Sequence, residues 1–284
     1  MRAKILSFFL VLIFNSQLSA LELKGPLIQG GLIMGITKPG SIVKVDGRKL
    51  NTLPNGSFVF GVSHDAASII RLEVRQKNGR VEKRFLKIKK RFYRVQSITG
   101  LPKRKVTPEK RDFNRIKQER DLLINARRLI TLADDFREGF IWPVHGRISG
   151  VYGSQRILNG KRRAPHLGID IAAPLGTQVS AAASGTVTLV HQGMFFAGKT
   201  IFIDHGLGVG TIYIHLDKIV VDEGQKVRKG QIIGQVGRTG RATGPHLHWG
   251  LNWKAIRLDP SLLVGPMPIK KEKNFINQSS GHLR

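Results

Sequence analysis

Along residues 21–106, apolar and polar positions alternate in short runs broken by turn residues. Ile70, Leu72 and Val74 alternate with Arg71, Glu73 and Arg75, the period of two that marks a half-buried strand. Ile42-Val43-Lys44-Val45 runs into Asp46-Gly47, a two-residue hairpin signal. Pro54-Asn55-Gly56-Ser57 turns into Phe58-Val59-Phe60, and Asn78-Gly79 turns into the run from Val81 to Ile88. Five or six such strands predict a small β-sandwich. The period then changes. Phe113, Ile116, Leu123, Ala126, Ile130 and Ala133 recur at three, four and seven, which predicts a helix. Thr107 is placed to cap it, Pro108 suits its first position, Glu109 complements its dipole and Gly139 offers a stop. Its apolar stripe has to bury against one or both β regions.

From Phe140-Ile141-Trp142-Pro143 onward, strand signals return and glycines punctuate them. The runs are Gly185 to Val190, Thr200 to Asp204, Gly210 to Ile214, Gln231 to Val236 and His246 to Leu251. The predicted fold class is therefore mainly β. A β-rich accessory domain spans 21–106, a helical linker 107–139 and a second β domain 140–265, with a loose basic tail over 266–284. The turn–strand–turn–strand pattern from Gly224 to Gly234 also occurs in lipoyl- and biotin-carrying domains. A carrier would need a lysine at a hairpin tip and would leave the histidines of this region without a purpose.

The first twenty residues stand outside this pattern. Arg2 and Lys4 precede an apolar run from Ile5 to Phe14, and Ser19-Ala20 offers small residues for cleavage. That is the layout of a secretory signal peptide, too short for a membrane span. It predicts export to the periplasm or cell envelope.

Composition sharpens the picture twice. The chain has no cysteine, which excludes disulfides, thiolate metal ligands and a thiol nucleophile. With 47 Lys and Arg against 19 Asp and Glu, its formal charge is +28. Such an excess predicts an anionic partner. For an exported protein, anionic envelope polymers fit better than nucleic acid. The densest basic stretch holds Lys87, Lys89, Lys90, Arg91, Arg94, Lys103, Arg104 and Lys105, interleaved with Phe85, Phe92 and Tyr93.

Two histidine stretches carry the candidate chemistry. One is His166-Leu167-Gly168-Ile169-Asp170, the other His246-Leu247-His248. Strand residues two or four apart share a face, so two neighbouring strands would aim all four polar side chains at one point. Histidine and aspartate are good zinc ligands, and three ligands with an open position make a catalytic site. Spacing alone leaves open whether His246 or His248 is the ligand.

Residues 142–260 resemble the lysostaphin-type (LytM-like) zinc metallopeptidases, which cut peptide cross-links in bacterial cell walls. The matching stretches are Gly153-Ser154-Gln155-Arg156, His166-Leu167-Gly168-Ile169-Asp170, Tyr213-Ile214-His215-Leu216, Gly237-Arg238-Thr239-Gly240 and Gly244-Pro245-His246-Leu247-His248. The resemblance implies a LytM-type β domain, a duplicated hybrid motif, with a substrate groove. It also implies one Zn2+ on His166, Asp170 and His248, with catalytic roles for His246 and His215. Residues 21–106 resemble the β-rich amino-terminal domain of some proteobacterial members.

Arg156 and Asn159 precede the first ligand and are candidates to contact substrate or to orient Asp170. Asp217 is placed to orient His215, while His145, His191 and His205 read as non-ligands. The implied function is a secreted zinc endopeptidase acting on peptidoglycan stem peptides. A D-alanyl to diaminopimelyl cross-link is favoured over a polyglycine bridge, and the amino-terminal region is a candidate intramolecular inhibitor. The alternative is a non-enzymatic envelope regulator that activates wall amidases.

Overall fold

The computed structural model describes residues 21–268, so the leader-like stretch 1–20 and the end of the basic tail lie outside the described residues. Two antiparallel sheets build the amino-terminal region. One joins Leu21–Lys24, Leu32–Thr37 and Ser57–Gly61; the other joins Arg48–Lys49, Ile42–Val45, Ile69–Arg75 and Val81–Lys87. The hairpin at Asp46-Gly47 has both residues at positive φ, 47° and 79°, as a two-residue turn between twisted strands requires. Ile70, Leu72 and Val74 are buried while Arg71 and Arg75 are exposed, so the alternation places one face of that strand inside. That face joins Val43, Leu32, Ile33, Phe58 and Phe60 in one apolar core, which makes the two sheets a sandwich.

The chain then crosses to the second region. Val95–Ile98 pairs in parallel with Gln155–Leu158, and Ile98, Leu101 and Val106 close a small core on Leu158. Tyr93 fills the space above Gly153, where a Cβ would lie 2.1 Å from the ring. Arg91 donates to Asp259 at 2.7 Å and lies over the rings of Tyr93 and Tyr152. Residues 91–106 are thus packed on the second β region.

The linker helix is shorter than the periodicity predicts, running Phe113–Arg128. A 3-10 turn, Lys110–Asp112, leads into it, capped by Glu109 and Asp112, whose side chains reciprocally accept backbone N–H groups, rather than by Thr107. Leu123 and Ala126 pack on Leu189, Met194, Phe202 and Ile212, but Phe113 is exposed. After Arg128 the chain turns extended, because tertiary contacts replace helical ones. The Thr131 hydroxyl donates to Asp204, and the Thr131 carbonyl accepts the Leu207 N–H. Gly139 does end a 3-10 turn, Asp135–Glu138, at φ 75°.

The second region is built on a long twisted sheet. Its main path runs Lys226–Val227, Gly185–Met194, Gly198–Gly206, Val209–Ile219, His246–Trp253, Ile169–Ala172, Arg147–Gly150. Leu247 and Trp249 are fully buried beneath it, together with Tyr213 and Ile171. His246, His248 and Asp170 necessarily face the other way. His205 is fully buried elsewhere, with Nδ1 2.6 Å from the Ser184 carbonyl and Nε2 2.7 Å from the Thr211 hydroxyl. No helix among the described residues is long and apolar enough to cross a membrane.

Candidate active site

Three adjacent strands bring the polar residues together. His248 lies in register between Asp170 on one neighbour and Ile214 on the other, and His246 lies opposite Ala172. His166 Nε2, His248 Nδ1 and Asp170 Oδ1 form a triangle with edges of 2.8, 2.8 and 3.0 Å. The N–H of His166 Nδ1 is donated to the Val151 carbonyl at 3.1 Å, so its Nε2 is a lone pair. Lone pairs that close, on two imidazoles and a carboxylate, are reconciled only by protons or a cation. Tetrahedral zinc with nitrogen and oxygen ligands at about 2.0 Å holds its donors about 3.3 Å apart. Donor types and spacing therefore fit a zinc ion.

Two glycines make room for this triangle. A Cβ on Gly168 would lie 2.5 Å from His248 Nε2, and one on Gly150 would lie 2.4 Å from Asp170 Oδ2. Arg156 Nη2 donates to that same Oδ2 and so fixes the carboxylate from behind. Asp170 is 6 % exposed. Burial alone would raise its pKa, but the imidazoles of His166 and His248 against Oδ1 outweigh burial and hold the carboxyl well below its usual range.

His246 and His215 flank the triangle. His246 Nε2 is 3.9 Å from Asp170 Oδ1, outside the tight donor set, and its Nδ1 meets the Gly244 carbonyl at 2.9 Å. The ring of His215 is 4.8 Å from that of His246 and 6.3 Å from that of His248, centroid to centroid. Its Nδ1 meets the Thr239 carbonyl at 2.8 Å. Both rings therefore keep Nδ1–H on a carbonyl and present Nε2 as an acceptor. Burial, with His246 and His248 nearby, pushes the pKa of His215 down to about 3. His215 also has φ 65°, on a strand whose register slips just after it. A left-handed conformation in a non-glycine residue costs about 1 kcal/mol or more. Here it turns a side chain from within the strand Val209–Ile219 into the cleft.

The other candidates divide. Arg156 reaches the site. Asn159 does not: its amide is bonded to both backbone groups of Leu101, at 2.7 and 3.3 Å, because a φ of 45° points it at the crossing segment rather than at Asp170. Asp217 is exposed, and Thr239 does the orienting of His215 instead. His145 is exposed, and His191 accepts the Gly193 N–H at 3.0 Å, so neither joins the cluster. Sequence reasoning passes over the Val151, Gly244 and Thr239 carbonyls that fix the imidazoles, since a backbone acceptor leaves no trace in residue type. It also passes over Arg241 and Phe196, which line the cleft.

Cavities open on both sides of the cluster. One, of about 330 Å³, is lined by His166, His215, His248, Phe196 and arginines 156, 163, 241 and 257. The other, of about 150 Å³, is lined by Asp170, His246, Arg156 and Arg241, and is walled by Gln96, Ile98 and Leu101 of the crossing segment.

Known proteins share this arrangement of sequence and fold. The model of peptidase family M23 matches residues 164–260. Peptidoglycan DD-endopeptidase ShyA of Vibrio cholerae is 50% identical over 91 residues, which is 32% of this chain and 21% of that protein. DD-carboxypeptidase/endopeptidase Mpg of Neisseria meningitidis is 41% identical over 127 residues, 44% of this chain and 29% of that protein. The chain thus matches less than a third of the length of either relative. A Pseudomonas aeruginosa protein ascribed to peptidase M23 has a crystal structure that is similar with a TM-score of 0.64 and 30% identity, covering 84% of this chain and 94% of that one. A likeness that runs through both β regions of a solved relative, on top of a family match holding both histidine stretches, is decisive: the chain belongs to peptidase family M23.

Proposed function

We propose that this protein is an exported zinc endopeptidase that hydrolyses peptide cross-links of bacterial peptidoglycan. The observation that carries the reading is a buried triangle of three lone-pair donors with two further imidazole Nε2 atoms facing the same cleft. His166, Asp170 and His248 would hold the metal. When bound, zinc supplies Lewis acidity to the scissile carbonyl and makes water nucleophilic near pH 7. Amide hydrolysis also needs a proton removed from the attacking water and one delivered to the departing amine. We assign both tasks to His246, whose Nδ1–H on Gly244 leaves Nε2 free to accept, so that the proton taken from the water is the one passed to the amine, with His215 Nε2 as a second acceptor beside it in the cleft. The family match over residues 164–260 holds all five residues, and two relatives of that family are named as a peptidoglycan DD-endopeptidase and a DD-carboxypeptidase/endopeptidase.

Purified chain without its leader, incubated with wall sacculi, is expected to release new amino termini. A chelator should abolish them and added Zn2+ restore them. Absence of chelator-sensitive termini would remove the peptidase reading.

Two finer points belong to the same proposal. The exposed Phe85 and Phe92, among Lys87, Lys89, Lys90 and Arg94, suit an anionic envelope polymer. Charge reversal at three of those lysines and arginines should weaken retention on sacculi at low salt. The crossing segment, through Gln96, Ile98 and Leu101, restricts access to the cleft from one side. Replacing Ile98 and Leu101 by alanine should raise turnover of sacculi more than turnover of a short soluble peptide; equal effects on both would end the gating idea.

A further inference from the structure

The cleft carries more positive charge than its metal chemistry uses. Asp170 is the one carboxylate lining either cavity, and Arg156 with the two histidines already engages it. Among the described residues, Arg163, Arg241 and Arg257 have no carboxylate within ion-pair reach. Arg241 stands out among them. It lines both cavities, so it lies at the border between the two halves of the cleft. Its place is built: its backbone N–H is donated to the Phe196 carbonyl at 2.8 Å, and its guanidinium lies over the Phe196 ring at 4.7 Å. Arg163, on the same wall, is held by the Val106 carbonyl at 2.8 Å.

We propose that Arg241, with Arg163 beside it, forms a carboxylate-binding subsite that holds an acidic group of the substrate peptide next to the scissile amide. A partly buried guanidinium facing two others and no counter-ion is costly to keep charged unless an anion arrives. Burial, then Arg156 and Arg163, depress the pKa of Arg241, in keeping with that unmet demand. The planar fork of arginine matches a carboxylate in two parallel hydrogen bonds, which lysine cannot reproduce. The inference rests on the peptidase reading above and adds a selectivity to it. Peptides with free carboxylates flanking the cross-link would be taken, whereas neutral glycine bridges or fully amidated stems would be poor substrates.

The test uses the full, zinc-supplied chain and two soluble cross-linked stem peptides that differ only in free or amidated carboxylates. Cleavage is measured by chromatography, and binding of the corresponding cleaved peptides by fluorescence anisotropy. Wild type is expected to favour the free acid by about 10- to 100-fold, the range of a charge-assisted hydrogen bond. Arg241→Met should lose that preference, and Arg241→Lys should keep only part of it. Arg163→Met, which leaves the Phe196 contact intact, should lower the preference independently. Equal handling of both peptides by wild type, or an undiminished preference in folded Arg241→Met, would overturn the subsite. If neither peptide is cleaved, the peptidase reading fails, and the binding data alone still decide the subsite.

Discussion

Gly168 and His248 are in contact through the absence of an atom: a Cβ on Gly168 would sit 2.5 Å from Nε2 and 2.6 Å from Cε1 of the imidazole. Gly168 is not among the positive-φ glycines, so alanine fits its backbone and the obstacle is what faces the Cβ, the ring first. The Trp249 carbonyl, at 2.9 Å, blocks the alternative of moving the strand. Gly168→Ala should therefore rotate or displace His248 while the sheet survives. Zinc affinity is expected to fall by about 10- to 100-fold, the usual cost of disturbing a ligand's support. Competition with a chromophoric chelator measures it; an affinity within two-fold of wild type would show that the ring has room to spare.

Arg91 and Asp259 join the crossing segment to the far end of the second β region. Asp259 is 2 % exposed and accepts from Arg91 at 2.7 Å and from Ser261 N at 3.0 Å. Arg91→Met leaves a buried carboxylate short of its charge partner, which typically costs about 3 kcal/mol. The expected result is a lowered urea midpoint with an unchanged slope, which marks lost stability in an unaltered fold. The double variant with Asp259→Asn should recover part of the loss, because the unpaired charge is then gone. A single variant as stable as wild type would mean that solvent reaches the carboxylate.

His205 gives a pH dependence separate from the metal cluster. Its Nδ1–H is committed to Ser184, its Nε2 faces the Thr211 hydroxyl and the ring is fully buried, so a second ring proton would put a charge inside the sheet with no carboxylate among the described residues to pair it. Burial pulls its pKa from the usual 6.5 down to about 4. Between those values the unfolded chain binds a proton that the folded chain refuses. Stability from this residue is thus fully present above about pH 6.5 and is lost as pH falls towards about 4, by on the order of 3 kcal/mol. Urea melts of wild type and His205→Gln at pH 7, 5.5 and 4.5, with zinc constant, isolate the effect as a difference. Parallel pH curves for the two proteins would count against it.

Much of this was legible in residue order, for physical reasons that differ by element. Ile70, Leu72 and Val74 announce their strand because one face of a sandwich must be apolar. Asp170 with His166, and His248 with His246, announce a shared face because side-chain period in a strand is fixed. The helix boundary was less legible. Leu129, Ile130 and Ala133 continue a helical period, yet Thr131 finds Asp204 and Leu207, and tertiary hydrogen bonds override local preference. Asn159 misled for a related reason, since its position before a ligand says nothing of the left-handed turn that points it at Leu101. Thr239 acts through its carbonyl and Arg241 through a loop-to-loop contact with Phe196 that only the folded chain makes, so neither left a signature in spacing.

The division of labour between His246 and His248 is the question that residue spacing left open, and the two side chains should separate cleanly on substitution. His248 Nδ1 is 2.8 Å from both other donors of the triangle, whereas His246 Nε2 comes no nearer than 3.9 Å to Asp170 Oδ1. His248→Ala should abolish stoichiometric zinc binding and activity together. His246→Ala should keep zinc affinity within a few-fold, yet lose about 10²- to 10⁴-fold in kcat, the range for removing a positioned proton carrier. Metal content by atomic emission and turnover on cross-linked peptides give both readouts from one preparation. A third measurement bears on the amidase-activator alternative. If His248→Ala, emptied of zinc, still complemented a strain lacking this protein as wild type does, the cellular role would not depend on peptide hydrolysis. If loss of zinc and loss of the cellular effect go together in His248→Ala, and His246→Ala loses the effect with its metal still bound, hydrolysis is the function that the cell uses.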